Sequence, residues 1–106
     1  MAEVIWQPAA LEDINGIAEW IAQHSTTFAK LQVQRFFLAA DALVDQPLMG
    51  HPVPELSMRT LREIHVGSYR IIHHVSEGDR IDVLAVVHMR RRLAPKILRS
   101  RIRTRR

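Results

Sequence analysis

The sequence predicts an α+β fold of order β-α-α-β-β-β, a helical hairpin packed on a small, mostly antiparallel sheet. Three observations carry this. Apolar residues recur at helical spacing over residues 9–24 and again over 28–45, with the break Ser25-Thr26-Thr27 between them. Residues 61–66 and 69–75 read as two strands meeting at Gly67-Ser68. Residues 81–88 form a third strand whose Val83-Leu84-Ala85-Val86-Val87 centre is apolar on both faces. Such a strand is central and covered on both sides.

Taken in order, Val4-Ile5-Trp6 marks a short strand at residues 3–7, with Trp6 as a core residue. Pro8 ends it and suits a first helical turn. In the first helix Leu11, Ile14, Ile17 and Ile21 make the apolar face. Glu12 and Asp13 are expected to favour its N-terminus. Trp20 lies off the main stripe and is available to a second element or a partner. Ser25-Thr26-Thr27 has N-cap chemistry for the second helix, whose stripe runs through Phe28, Leu31, Phe36 or Phe37, Ala40, and Leu43 or Val44. The short break implies an antiparallel hairpin.

Residues 46–55 hold Pro47, Gly50, Pro52 and Pro54, too many breakers for a helix. This is a turn-rich connection, with His51 an exposed loop residue. Gly67-Ser68 suits a two-residue II′ turn, glycine supplying the positive φ. That turn pairs Val66 with Tyr69, Ile64 with Ile71 and Arg62 with His73, and puts His65 opposite Arg70 on the other face. Glu77-Gly78-Asp79 turns the chain into the third strand of the meander. Beyond Leu93-Ala94-Pro95 a basic tail is expected at about 94–106, in which Ile97, Leu98 and Ile102 can support one or two helical turns.

A chain of 106 residues with 47% hydrophobic content fits one folded domain, residues 1–106. It has no cysteine, which excludes disulfides, thiolate zinc sites and thiol catalysis and fits a reducing cytoplasm. Neither a signal peptide nor an apolar run of membrane-spanning length is expected. The net charge of +4 hides an asymmetry. Residues 1–89 carry six Lys/Arg against eleven Asp/Glu, whereas residues 90–106 carry nine Lys/Arg and no acid. An acidic body with a basic end favours a nucleic acid or an acidic protein segment as partner. The bland alternative is a solvated tail.

The residues able to carry chemistry are Arg59, Arg62, His65, Tyr69, Arg70, His88, Arg90, Arg91 and Arg92. Arginine holds phosphate bidentately, and histidine moves protons near neutral pH. RNA cleavage would need both functions in one place. Basic residues at strand ends are also common on ordinary surfaces. No metal site is expected: His73 and His74 are adjacent on a strand and point to opposite faces, and no ligand spacing is present. There is no phosphate-binding glycine loop and no nucleophile elbow.

The order of elements, with Leu61-Arg62-Glu63-Ile64, Gly67-Ser68-Tyr69-Arg70-Ile71-Ile72, Val86-Val87-His88-Met89-Arg90-Arg91 and the Pro47-Leu48-Met49-Gly50-His51-Pro52 loop, resembles the RelE/ParE toxin superfamily over residues 3–98. The resemblance implies the toxin of a type II toxin–antitoxin pair, cytoplasmic, needing no cofactor, and neutralised by a cognate antitoxin with an acidic-amphipathic C-terminal segment. Operator DNA would be reached only through that antitoxin. Trp20, Arg62 and Arg70 are the residues expected to meet it.

His88-x-Arg90-Arg91, the long hairpin and the Leu-Arg-Glu-Ile strand look more like the ParE branch, whose members inhibit DNA gyrase and are not enzymes. His88, Arg90, Arg91, Arg92, Lys96 and Arg99 would then bind the target. The alternative is a RelE-like, metal-independent, ribosome-dependent mRNA endoribonuclease using Arg62, His65, Arg70, His88 and Arg90. This chain lacks the lysines that such enzymes carry on the strand before the turn, having only Lys30 and Lys96, and it has no tyrosine after Tyr69. It also departs from the ParE pattern, with His73 where a tyrosine is common and Arg92 where an aspartate often follows. A second alternative is a non-toxic nucleic-acid-binding module.

Overall fold

The computed structural model describes residues 2–102. Its five-stranded sheet has the order β1-β5-β4-β3-β2, in which β1 (Glu3–Trp6) runs parallel to β5 (Arg80–His88). The other neighbours, β4 (Tyr69–Ser76), β3 (Leu61–Val66) and β2 (His51–Pro52), are antiparallel. The expected hairpin register holds residue for residue: Val66 faces Tyr69, Ile64 faces Ile71, Arg62 faces His73 and His65 faces Arg70. Gly67 has φ +61° and Ser68 does not share a positive φ, as a II′ turn requires.

The helices follow their sequence signals. α1 (Pro8–Ala22) starts with proline in its first turn. Glu12 and Asp13 lie past that turn, so the expected dipole stabilisation is absent. α2 (Thr26–Asp41) is capped by Ser25, whose Oγ accepts the Phe28 N–H at 3.0 Å. A 3₁₀ turn over Ala42–Val44 completes the second helical stretch. Together α1 and α2 cover one sheet face through Ala10, Ile14, Phe36, Ala40 and Leu43, against Ile64, Ile71, Ile81, Val83 and Val86. Trp6 joins this core and stacks on Phe37 at 4.8 Å.

The second face has its own cover, and it uses the start of the basic segment, where one or two helical turns are expected. Residues 95–101 form α3 (Pro95–Arg101). Leu93 and Leu98 are buried with Val53, Leu61, Ile72, Leu84, Ala85 and Val87. β5 is therefore covered on both sides, as its apolar centre implies. It serves two cores because of a bulge: Ile72 pairs with Ala85 but His73 pairs with Val83, so Leu84 is an extra residue. Ile81 and Val83 face the hairpin before the bulge, and Val86 faces it after. One added residue moves the alternation onto the other parity.

β1 pairs only with residues 80–83 of β5, which leaves the upper half of that edge open. Side chains close it. Asp13 accepts the Val86 N–H at 3.0 Å, and Arg101 Nη1 donates to the Leu84 carbonyl at 3.1 Å. On the far side, Gly50 packs against β3 with φ +102°. A Cβ there would lie 2.2 Å from the Glu63 carbonyl oxygen, so only glycine permits this approach.

Two predictions follow from these contacts. Leu98 is fully buried, so Leu98→Ala should destabilise the chain by about 2–5 kcal/mol in denaturant unfolding, whereas Arg99→Ala, on the exposed side of α3, should change it by less than about 0.5 kcal/mol. Burial also pushes the His73 imidazole down to about 4, despite its 2.9 Å hydrogen bond to the Pro47 carbonyl. Its folded-state value lies below the ordinary histidine value of 6.5, so the unfolded chain binds the proton first. Stability should be full above pH 6.5 and fall as pH drops toward about 4, by up to about 3 kcal/mol from this group. His73→Gln should flatten that part of the stability–pH curve.

Candidate functional site

The candidate groups lie on strands whose alternation sorts them to opposite faces. Ile64 and Val66 pack toward the helical hairpin, so Arg62 shares their side of β3. Leu61 packs on the second face, and Glu63 and His65 share that side. On β4 the parity places Tyr69 and His73 toward the hairpin, with Arg70, Ile72 and His74 on the second face. His73 and His74 thus point apart. Among the described residues, no group of three His, Asp or Glu could hold a metal ion.

Arg70 is the most constrained of the set. It is 1% exposed. Its Nη1 donates to Glu55 Oε1 and to Glu63 Oε1, both at 2.8 Å. Its Nη2 donates to Glu55 Oε2 and, at 2.7 Å, to the Arg91 carbonyl. The same Glu55 Oε2 accepts the Leu93 N–H at 3.0 Å. The hydrogen bonds that Arg70 donates to Glu55 outweigh burial and raise the Arg70 value above the ordinary arginine value. For Glu55, burial acts upward but the bonds from Arg70 and Leu93 outweigh it, leaving its carboxyl below the usual range. The charge expected to hold phosphate or to meet an antitoxin is thus enclosed and paired with two carboxylates.

The other members are dispersed. Arg62 is half-buried, with Nη2 donating to the Gly50 carbonyl at 2.8 Å, so it braces the Pro-rich loop and is not a free antitoxin contact. His65 Nε2 sits 2.7 Å from Glu63 Oε2, and its ring stacks on exposed His51 at 4.9 Å. His88 is exposed on the hairpin side, edge-on to Tyr69 at 5.7 Å, and its Nδ1 accepts the Arg90 N–H at 3.1 Å. Tyr69 also meets Phe36 edge-on at 5.5 Å. Arg62 and His88 therefore lie on one face, His65 and Arg70 on the other, and Arg90 beyond the sheet. The five groups do not converge.

Exposed cations follow the end of β5. Arg90, Arg91 and Arg92 are exposed, as are Lys96 and Arg99 on α3. The turn is ordered by the Met89 N–H on the Ser68 carbonyl and the Arg91 N–H on the His88 carbonyl, each 2.9 Å. Beside it, a groove of about 320 Å³ lies between α1 and the end of β5, lined in part by Asp13, Trp20, Tyr69, His88 and Arg91. Trp20 is 63% exposed and stands at this groove. Burial raises the Asp13 carboxyl above its ordinary value, against the Val86 N–H and the nearby Arg101 and Arg91.

A second groove, about 540 Å³ and strongly apolar, runs between α1 and α2, lined by Ala18, Ala22, Ala29 and Val33 with polar residues at its rim. Asp13, Glu55 and Glu63 were not among the sequence candidates. Strand parity alone would have put Glu63 beside Arg70. Nothing local marks Glu55, 15 residues from Arg70 in a proline-rich loop.

Comparison with known proteins agrees with this architecture. The chain is 37% identical over 79 residues to Toxin RelE2 of Caulobacter vibrioides, covering 74% of this chain and 85% of that protein. Among solved structures, the chromosomal ParDE toxin–antitoxin system of P. aeruginosa superposes with a TM-score of 0.68 at 18% identity, over 83% of this chain and 96% of the other. The RelBE2 toxin–antitoxin complex of Mycobacterium tuberculosis does so with a TM-score of 0.52 at 19% identity, over 82% and 96%. These two likenesses bear on the fold. Residues 4–93 match the family described as the ParE toxin of the type II toxin–antitoxin system parDE. With that match over most of its length, the chain belongs to the ParE toxin family, within the RelE/ParE superfamily of type II toxin–antitoxin toxins.

Proposed function

We propose that this toxin acts by binding and not by cleaving RNA, that its target is DNA gyrase, and that it binds through the basic surface of His88, Arg90, Arg91, Arg92, Lys96 and Arg99. The observation that carries the reading is the dispersal of the candidate catalytic groups. A metal-independent nuclease needs a proton acceptor, a proton donor and a phosphate clamp within reach of one phosphodiester. Here Arg70 is committed to two carboxylates, and His65 and His88 lie on opposite sides of the sheet. An uncommitted cationic surface remains, suited to an anionic or DNA-bound target.

The partner in this reading is a cognate antitoxin. Its amphipathic segment would lay an apolar helix side into the α1–α2 groove, with Trp20 as an anchor and its acidic residues toward the basic end. The alternative, a ribosome-dependent endoribonuclease, is favoured by the 37% identity to a protein named Toxin RelE2.

The two readings part in one pair of assays. Purified toxin should inhibit gyrase supercoiling. Replacing Arg90, Arg91 and Arg92 with alanine should raise the required concentration about tenfold, since exposed ion pairs contribute roughly 0.2–1 kcal/mol each and three are removed. Arg59→Ala, exposed but away from that surface, should leave inhibition unchanged. Primer extension on translated messages should show them intact. No inhibition at large molar excess, together with codon-positioned cuts, would reverse the assignment.

A further inference from the structure

Two bonds of the Glu55–Arg70–Glu63 cluster reach the basic segment: Arg70 Nη2 holds the Arg91 carbonyl at 2.7 Å, and Glu55 Oε2 holds the Leu93 N–H at 3.0 Å. These two bonds grip the main chain on either side of Arg92. They leave the side chains of Arg90, Arg91 and Arg92 exposed. The Pro-rich loop is thereby tied to the segment that leaves β5, through a pair that is almost wholly shut from water: the Arg70 and Glu55 side chains are 1% and 5% exposed.

We infer that Glu55 and Arg70 form a buried latch that sets the direction in which the Arg90–Arg92 side chains are presented, with Glu55 as the positioning residue. The inference rests on the reading that this basic end is the target-binding surface, and it deepens that reading. The latch works through backbone groups. It does not depend on the identity of the arginine side chains, and Glu55 makes no contact with the target. Arg70 is required as well, but it also braces Glu63 on β3, so its removal would disturb the sheet itself. Glu55 lies in the loop, and its contacts are to Arg70 and the Leu93 N–H. Its loss should release the segment first. With the carboxylate gone, the charge-assisted grip on Arg70 weakens and the carbonyl and amide it positions are freed together.

The test compares amide hydrogen exchange in the full chain, as wild type, as Glu55→Gln and as Leu43→Ala, which truncates the core under the hairpin. Glu55→Gln should speed exchange over residues 90–98 by about tenfold to hundredfold, the range for losing a hydrogen bond to a charged group, and leave α2 and β4 nearly unchanged. Leu43→Ala should speed exchange throughout. If Glu55→Gln proves insoluble, Glu55→Asp, which keeps the charge on a shorter stem, should give the same local pattern at smaller amplitude. A parallel rise everywhere, or no change at 90–98, overturns the latch.

A second arm reads inhibition of gyrase. Glu55→Gln should require about tenfold more protein, with the salt dependence of the wild type because all the cations remain. The triple alanine variant should instead show a weaker salt dependence, because only Lys96 and Arg99 of the basic surface keep their charge. A segment that loosens while inhibition is unchanged overturns the orientation claim. If even the wild type fails to inhibit, the target reading fails, and the exchange arm still decides the latch.

Discussion

A guanidinium buried between two carboxylates is the constraint from which much of this molecule follows. Enclosing a charge is costly unless it is paired and hydrogen-bonded. Arg70 meets that condition with partners from three places: Glu55 of the loop, Glu63 of β3 and the Arg91 carbonyl beyond β5. The three partners share the compensation of one enclosed charge. The loop, the central hairpin and the start of the C-terminal segment are therefore one unit. Glu55 is held ionised by this arrangement, so its contribution is present at neutral pH and is lost only as pH falls through its lowered value.

That unit also helps close the sheet. The hairpin closes one sheet face, and the loop with α3 closes the other. The open half of the β5 edge is capped by Asp13 and Arg101, which also lie 3.7 Å apart as an ion pair. Strand edges invite pairing with other chains unless they are blunted. With both faces and this edge occupied, a run of exposed arginines lies beyond His88, beside a groove with an exposed tryptophan.

Much of this was legible in the residues. The hairpin register follows from Gly67-Ser68, because a two-residue turn fixes the pairing and a slip of one would send Ile64 and Ile71 to the wrong face. Ser25 announced the second helix by its side-chain chemistry. The bulge at Leu84 was hidden because a strand apolar on both sides does not show a change of parity. The docking of α3 was hidden because its buried anchors, Leu93 and Leu98, are set among basic residues without a helical stripe. The fate of Arg70 was the deepest omission. It depends on Glu55, and no local pattern joins those two positions. Residues 103–106, the end of the expected basic tail, lie outside the described residues.

Family membership fixes the architecture and the toxin–antitoxin setting, while the branch turns on what the basic end touches. The most direct measurement places a photoreactive side chain at Arg90 in the full toxin, induces it in cells, and identifies what is captured on irradiation. The account predicts a gyrase subunit. Capture of ribosomal protein or ribosomal RNA at that position would contradict it.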